Sequence, residues 1–360
     1  MHRKKCLLIL LLAGLLLFCA CGRDAGTAEA PPSAAVESST PEPTPEPTPE
    51  SVPETTPEAT PEPTPKPTPE PTIEATPEPT PEPTPALPER FELFGTEVDR
   101  NQDRLEFVRV KIGDEGLPEI RRALDGMPNC TYLLMDDCGT SNEAMAQLRD
   151  DYEGRTKVVW RVHFGMFSDL TDTKIIHAVA PEQDTWLDDR MCEVLRYCTE
   201  TEYIDIGHDP LTSIEFCRYM PKLRLAILSY NNITDLSPLA ECPELYLLEL
   251  FCCRKLSDLS PLAQCGNLEY LNFAFTAVTD ISPIYELKKL RLLDGAKNAI
   301  PQEQIEEITV RMPDCRMTFE GDDIHEVGWR KEYAGKYYDW YLEAKEIFGY
   351  ARNDYSGKRK

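Results

Sequence analysis

Histidine is nearly absent from this chain of 360 residues. There are five, His2, His163, His177, His208 and His325. None lies in a G-x-S-x-G, H-E-x-x-H or Cys-Gly context, so the common hydrolase and metalloprotease arrangements have no anchor here. No two cysteines stand at C-x-x-C spacing, which removes the usual signature of a structural zinc site. Gly113-Asp114-Glu115-Gly116 lacks the lysine and the glycine spacing of a phosphate loop and reads as a turn into a helix. Base is scarce as well: 38 Lys and Arg stand against 63 Asp and Glu, a formal charge of -25. Such a chain repels nucleic acid and anionic membrane surfaces. We therefore expect no catalytic residue, no metal and no cofactor. His163, on an expected strand, reads as a packed or surface histidine, and Asp136-Asp137 as solvated strand-end charges.

What the chain has is repetition. Between Thr201 and Ile300 one pattern occurs five times, read with mostly Leu, Ile, Ala or Phe at its first, fourth, sixth and eleventh places. Three copies show it most clearly: Leu223, Ala226, Leu228, Ile233; then Leu245, Leu248, Leu250, Leu256, with one inserted residue; then Leu268, Leu271, Phe273, Val278. The eleventh-place residues Leu211, Ile233, Leu256, Val278 and Ile300 fall 22, 23, 22 and 22 apart. Three of them precede one phrase: Thr234-Asp235-Leu236-Ser237-Pro238-Leu239, Ser257-Asp258-Leu259-Ser260-Pro261-Leu262 and Thr279-Asp280-Ile281-Ser282-Pro283-Ile284. A short strand turns the fourth and sixth places inward and the fifth outward. The Ser-Pro step then starts a helical turn, with the preceding Asp and Ser oxygens expected to take its free amides. No single copy buries its own apolar face, so the copies must stack. Place nine holds Asp209, Asn231, Cys253, Thr276 and Asn298.

This stretch resembles the leucine-rich repeat family, in which place nine is normally Asn, and its T-D-L-S-P-L phrase is similar to the internalin-like variety of bacterial surface proteins. The resemblance implies an α/β solenoid, with a curved parallel sheet on the concave side and helices and short turns on the convex side. It also implies a recognition role with no particular ligand.

Residues 1–21 read as an address. His2-Arg3-Lys4-Lys5 precedes the apolar run Leu7 to Phe18, short for a membrane span and laid out as a secretory signal. Its end, Leu17-Phe18-Cys19-Ala20-Cys21, resembles a bacterial lipobox, although Phe18 stands where Leu is usual. The resemblance implies lipidation at Cys21, the alternatives being an ordinary secretion signal or an uncleaved anchor. Residues 22–90 carry recurring Pro-Glu-Pro-Thr and fourteen acids against three bases. Such a segment is extended and self-repelling. Some fifty residues at about 3.1 Å each reach on the order of 150 Å. That suits a disordered stalk lifting the folded part off the membrane, the alternative being a tail with no spacing duty.

Residues 91–199 hold two longer repeats and a connector. Leu105, Phe107 and Val110 return 28 residues later as Leu133, Met135 and Cys138. Each set leads into an apolar helical stripe, and a third strand, 157–164, closes the set. We expect these to be the first turns of the same coil, the alternative being a small separate α/β domain. A helix is expected over 184–197. Residues 200–320 form the repeat array, ending with a helix over 301–311 and a strand over 315–319. Residues 321–360 form a tail with Trp329, Tyr333, Tyr337, Trp340, Tyr341, Ile347 and Phe348 at mostly three- and four-residue spacing. This predicts an amphipathic helix capping the end of the last coil, with a binding use as the alternative.

Cys198, Cys242 and Cys265 share one place in successive copies with Met220 and Leu287, so they read as buried apolar side chains, a bridge between neighbours being the alternative. Neighbours Cys252 and Cys253 should point oppositely from their strand. The functional signal lies on the outward places three, five, seven and eight, stacked into one concave surface. Tyr203, Asp205, Tyr230, Glu249, Phe251, Tyr270, Asn272, Phe275 and Asp294 are the candidate ligand-binding residues, since clustered exposed aromatics are what recognition surfaces use. The competing explanation is that place three packs against its neighbours or lies under the tail helix. The expected function is a lipid-anchored cell-membrane protein facing the extracellular side that binds a protein or glycan. It touches membrane only through its anchor and binds no nucleic acid. A structural, envelope-organising protein is the second expectation and an enzyme the third.

Overall fold

In the computed structural model of the chain the described residues are 87–179, 186–321 and 339–349. The expected signal segment, Cys21 and nearly all of the stalk lie outside them, as do Trp329, Tyr333, Tyr337 and the side chain of Trp340.

The first described element is a hairpin absent from the expectations above. Strands β1 (Arg90–Leu93) and β2 (Thr96–Asp99) pair antiparallel around Phe94-Gly95, both at positive φ. They bury Leu93 and Val98 against the start of the core. Next, β3 (Arg104–Val108) and β4 (Tyr132–Asp136) run parallel, with Leu105 opposite Leu133 and Phe107 opposite Met135, the register that the 28-residue spacing predicts. Helices α1 (Leu117–Gly126) and α2 (Asn142–Asp151) return the chain. Their buried stripes are Leu117, Ile120, Ala123, Leu124 and then Met145, Leu148.

Strand β5 (Lys157–Phe164) adds to this sheet in parallel. At Gly165, φ 59, the chain reverses, and β6 (Phe167–Leu170) pairs antiparallel with β5 and ends the sheet. The residues expected to form the first turns of the coil thus hold a four-stranded sheet of their own. The array occupies a second sheet of seven strands, although a single buried cluster runs from Leu93 to Met312 through both. The helix expected over 184–197 is shorter. Asp188 caps α3 (Asp189–Cys192) through the Met191 amide, and from Glu193 the chain tightens into a 3₁₀ turn.

The second sheet is parallel and in chain order: β7 (Ile175–His177), β8 (Tyr203–Asp205), β9 (Leu225–Ile227), β10 (Leu247–Glu249), β11 (Tyr270–Asn272), β12 (Leu292–Asp294) and β13 (Arg316–Thr318). Place-four residues Ile204, Ala226, Leu248, Leu271 and Leu293 sit directly over one another. Rungs β8 to β12 are the five copies, and β7 is a sixth rung the spacing did not reveal. Each buried Leu or Phe of the fourth and sixth places contributes roughly 1.5–3 kcal/mol. The fifth copy carries Gly295 at place six, where a Cβ would lie 2.7 Å from the Phe273 ring. One oversized side chain thus fills the space of two.

The return path of each array rung is a 3₁₀ turn such as Ser237–Glu241, Ser260–Gln264 or Ser282–Ile284, with Pro in its first positions. Asp235, Asp258 and Asp280 accept the amide two residues on, at 2.8, 2.7 and 2.9 Å. Ser237 and Ser260 donate their hydroxyls back to the same aspartates. The aspartate alone therefore caps, and the serine does not take an amide as expected. The last turn widens into α4 (Gln302–Arg311), entered from Pro301.

Two features tie the sheets together as one kind of rung. At place eight the chain passes through left-handed φ of 53 to 70 with no glycine, at Asp137, His208, Tyr230, Cys252, Phe275 and Lys297, and Arg109 does the same at φ 57. Each such residue costs on the order of 1 kcal/mol. The turned amides still reach the next rung: Arg109 to the Asp136 carbonyl at 2.7 Å, Tyr230 to that of Phe251 at 2.8 Å. At place nine, Asn231 accepts the Leu211 amide and donates to the carbonyls of Ile206 and Leu228. Cys138 and Cys253 donate their thiols to the place-six carbonyls of the preceding rungs, Phe107 and Leu228, both at 3.3 Å.

Candidate functional site

The outward columns of the second sheet stand in register, and the structure divides them into three zones. Place three holds Tyr203, Leu225, Leu247, Tyr270 and Leu292, with Leu247 paired to Leu225 and Tyr270, and Tyr270 to Leu292. Leu225, Leu247 and Leu292 are buried and the two tyrosines are half-buried. Helix α5 (Asp339–Phe348) covers them. Its Tyr341, Ala344 and Phe348 form one cluster with Leu225, Ile227, Leu247 and Leu292, edged by Tyr203, Tyr246, Tyr270 and Ile347. The Phe348 ring lies 5.5 Å from that of His177 on β7. This corrects the expectation that the tail helix caps the last coil. That end already carries α4 and β13, whereas the apolar strip on the strand face had no other cover.

Place five is a polar floor interrupted by Ile227, which joins the α5 cluster. Asp205, Glu249, Asn272 and Asp294 are all buried, so these four do not stand open to solvent as expected. Asp205, Asn272 and Asp294 accept the place-seven amides of their own rungs, at 3.3, 2.9 and 3.4 Å. Glu249 accepts the Ser229 hydroxyl at 3.3 Å. The buried Nδ2 of Asn272 has no hydrogen-bond partner.

Places seven and eight form an aromatic ladder. His208 stacks on Tyr230 at 4.5 Å and 18°, Tyr230 meets Phe251 at 5.5 Å, and Phe251 meets Phe275 at 5.4 Å. The left-handed backbone at place eight aims these rings along the strand ends. Tyr230 is 38 % exposed, Phe275 half-buried and Phe251 buried, in a small cluster with Cys252, Ala274 and Ala296. Tyr270 was expected in this group. It belongs instead to the opposite end of the strands, where Arg291 sits 5.5 Å over its ring and donates to its hydroxyl at 2.8 Å. Arg224 serves Tyr203 in the same way, at 5.6 and 2.6 Å. These place-two arginines, with Tyr246 and Glu343, line a cleft of about 430 Å³. Places three, five, seven and eight do not include them; the place-two column Glu202, Arg224, Tyr246, Glu269 and Arg291 carries their signal in the sequence.

Other chemistry is muted. All ten cysteines among the described residues are free, so Cys198, Cys242 and Cys265 are unbridged. Burial pushes the thiols of Cys192, Cys198, Cys242 and Cys253 up to about 12, leaving negligible thiolate at neutral pH. Cys252 packs with the ladder and Cys253 in the main core, on opposite sides as expected. His163 hydrogen-bonds Asp137 at 2.7 Å on an exposed surface. The anomalous group is Asp209, standing where Asn231 stands one rung on. Its Oδ1 accepts the Leu187 amide at 2.8 Å, its buried Oδ2 has no partner, and burial raises the carboxyl to about 6.

Short parallel rungs, apolar places four, six and eleven, and a place-nine side chain bonded to the backbone of its neighbours define a leucine-rich repeat solenoid. Its neighbours among solved structures are bacterial internalins and leucine-rich repeat proteins. The chain is similar to internalin InlF of Listeria monocytogenes (21 % identity over 56 % of this chain and 52 % of that one, TM-score 0.38). It is similar also to internalin C2 of the same organism (18 %, 61 % and 74 %, TM-score 0.33) and to a leucine-rich repeat protein of Leptospira interrogans (18 %, 55 % and 51 %, TM-score 0.37). It spans about half the length of the first and third. No protein-family model and no curated protein matches the chain.

Proposed function

We propose that this protein is a recognition module held on the extracellular side of the cell membrane by lipid at Cys21, which presents the strand face of its solenoid to a protein or glycan partner. The observation that carries the reading is the register of the rungs. It turns single residues of separate copies into one continuous surface, with an aromatic ladder at one end and arginine-tyrosine pairs at the other. Aromatic and arginine side chains dominate recognition energetics because they bury large areas and retain polar handles. Its test uses Phe251→Ala with Phe275→Ala. Both rings lie outside the main core cluster, so circular dichroism should stay unchanged while capture of ligand from cell or host extracts by a fragment without the stalk falls at least tenfold. Undiminished capture moves the site elsewhere. Cys21→Ala should release the chain from membranes into the medium.

A second reading, an envelope-organising protein without a dedicated ligand, draws on the cover that α5 places over column three. It predicts that cells expressing the chain with the stalk shortened, and not those with the altered face, lose the phenotype.

A further inference from the structure

We infer that the notch where the two sheets part is a binding site for a neutral oligosaccharide, held by the open edge of β5, threonine hydroxyls and a rim of both charges. It lies at the starts of the strands, away from the aromatic ladder, and stands independently of the recognition reading.

The notch follows from the β5–β6 reversal. Rung starts are tied in sequence, the Thr131 amide to the Asp103 carbonyl at 2.9 Å and the Lys157 amide to the Thr131 carbonyl at 2.8 Å. Past β5 this ladder breaks, because β6 folds back antiparallel and β7 belongs to the other sheet. The pairing of β6 covers Arg161 to Phe164, and Thr171 extends it by one bond, its amide reaching the Trp160 carbonyl at 2.9 Å. The first residues of β5 therefore keep an open edge. A cleft of about 590 Å³ stands there, within the range of about 300–1,000 Å³ common to small-ligand sites.

Successive residues of a strand turn their backbone groups to opposite edges. Lys157 turns to β4 and Trp160 to the β6 side, so Val158 shares the side of Trp160 and aims its amide and carbonyl into the notch. Val158 is buried, and buried backbone groups are nearly always paired. A hydroxyl answers both, accepting from the amide and donating to the carbonyl. Thr131, Thr156, Thr171 and Thr199 line the same cleft, with hydroxyls of equal versatility and methyls for the C–H side of a sugar ring. Three are already positioned: Thr156 donates to the Cys130 carbonyl at 2.7 Å, Thr171 accepts the Trp160 amide at 3.2 Å and Thr131 donates to the Asp103 carbonyl at 3.4 Å. Among the described residues the Thr199 hydroxyl and the Glu153 carboxylate have no hydrogen-bond partner.

The rim decides the charge of the guest. Arg149, Arg155 and Lys157 stand against Asp150, Glu153, Asp172 and Glu200, a near balance that favours neither an anion nor a cation. Most of these charges are engaged within the chain. Lys157 pairs with Asp172 at 3.1 Å and Glu200 with Lys222 at 2.6 Å. Arg149 lies 5.5 Å over the Trp160 ring and donates to the Tyr197 carbonyl at 3.3 Å. An ionic guest has to break such pairs, whereas a polyol joins them through their spare protons and lone pairs.

The test presents the full chain to an array of immobilised neutral, uronic-acid and sialylated glycans, and then follows hydrogen exchange with the retained glycan free in solution. The expected result is retention of a neutral glycan at least tenfold above the acidic ones, with slowed exchange over residues 156–160. Thr199→Val with Glu153→Ala, side chains that bond nothing in the chain, should weaken retention at least fivefold, while Phe251→Ala with Phe275→Ala leaves it unchanged. Silence across the neutral glycans overturns the inference and leaves the recognition reading to its own capture test. Stronger retention of acidic glycans overturns the neutral guest. Retention lost in the Phe251 and Phe275 variant and kept in the Thr199 and Glu153 variant also overturns it, and moves the glycan to the strand face in support of the recognition reading.

Discussion

The two sheets use the same rung and meet water in opposite ways. At place three the first sheet carries Arg104, Tyr132 and Lys157, and the second carries Leu225, Leu247 and Leu292. In the first, Arg104 lies 3.9 Å over the Tyr132 ring and pairs with Glu106 at 2.7 Å. Arg161 there grips Asp136 through two nitrogens at 2.6 and 2.9 Å. Arg104 and Lys157 at place three of that face are exposed and Tyr132 is half-buried. The other is apolar along its strip and has α5 laid over it. Inward places, the left-handed turn at place eight and the place-nine bonds are common to both, so the scaffold is indifferent to what place three carries. That one column decides whether a face is solvated or needs a partner, from within the chain or beyond it.

The contrast holds only if the sheets share one core, and the largest expected effect tests that. Phe273→Ala removes the ring that fills the space beside Gly295 and should cost about 3–5 kcal/mol. Because the buried cluster is continuous, hydrogen exchange should show β3 to β5 losing protection together with β8 to β12. Two separate transitions would instead make them independent domains.

A smaller effect separates the rungs by chemistry. The carboxyl of Asp209 is raised from 3.8 to about 6 in the folded chain, so the folded state binds its proton more tightly than the unfolded one. Stability from this group is complete below pH 3.8 and is lost as pH rises through 6. Asp209→Asn supplies the donor that Asn231 supplies one rung on. It should stabilise by about 2 kcal/mol above pH 6, with the gain disappearing below pH 4 in denaturant titrations. The smallest expected effect is on the solvated face, where Arg161→Ala should cost about 1 kcal/mol or less and shrink further in high salt. The Arg161 hydrogen bond holds the Asp136 carboxyl below its usual range, so this small contribution is present above pH 3.8 and is lost as pH falls.

The five rungs, their inward residues, α4 and β13 were legible because an apolar period cannot be satisfied in any other stack. The β7 rung was hidden by spacing. Its Ile176 and Ala178 sit correctly, but Leu187, the next buried anchor, comes nine residues after Ala178, where Ile233 follows Leu228 by five. The β1–β2 hairpin and the β6 reversal rest on Gly95 and Gly165 turns, which carry no periodicity. The candidate face was legible by column and misjudged by exposure. Alternation along a strand says which side a residue takes and is silent about what lies over it. Likewise the spacing of Tyr341, Ile347 and Phe348 announced that a helix needs a surface without saying which one.

The ten unpaired thiols among the described residues have a consequence for handling the molecule. Folded, they are shut inside the coils or half-shielded, as Cys315 is. Unfolded, they are all available at once to any oxidant, and every bridge they then form is a wrong one. Recovery after denaturation should therefore require a reductant throughout, even though the native chain has no described disulfide to protect, and the yield should reflect a race between rung closure and sulfur oxidation.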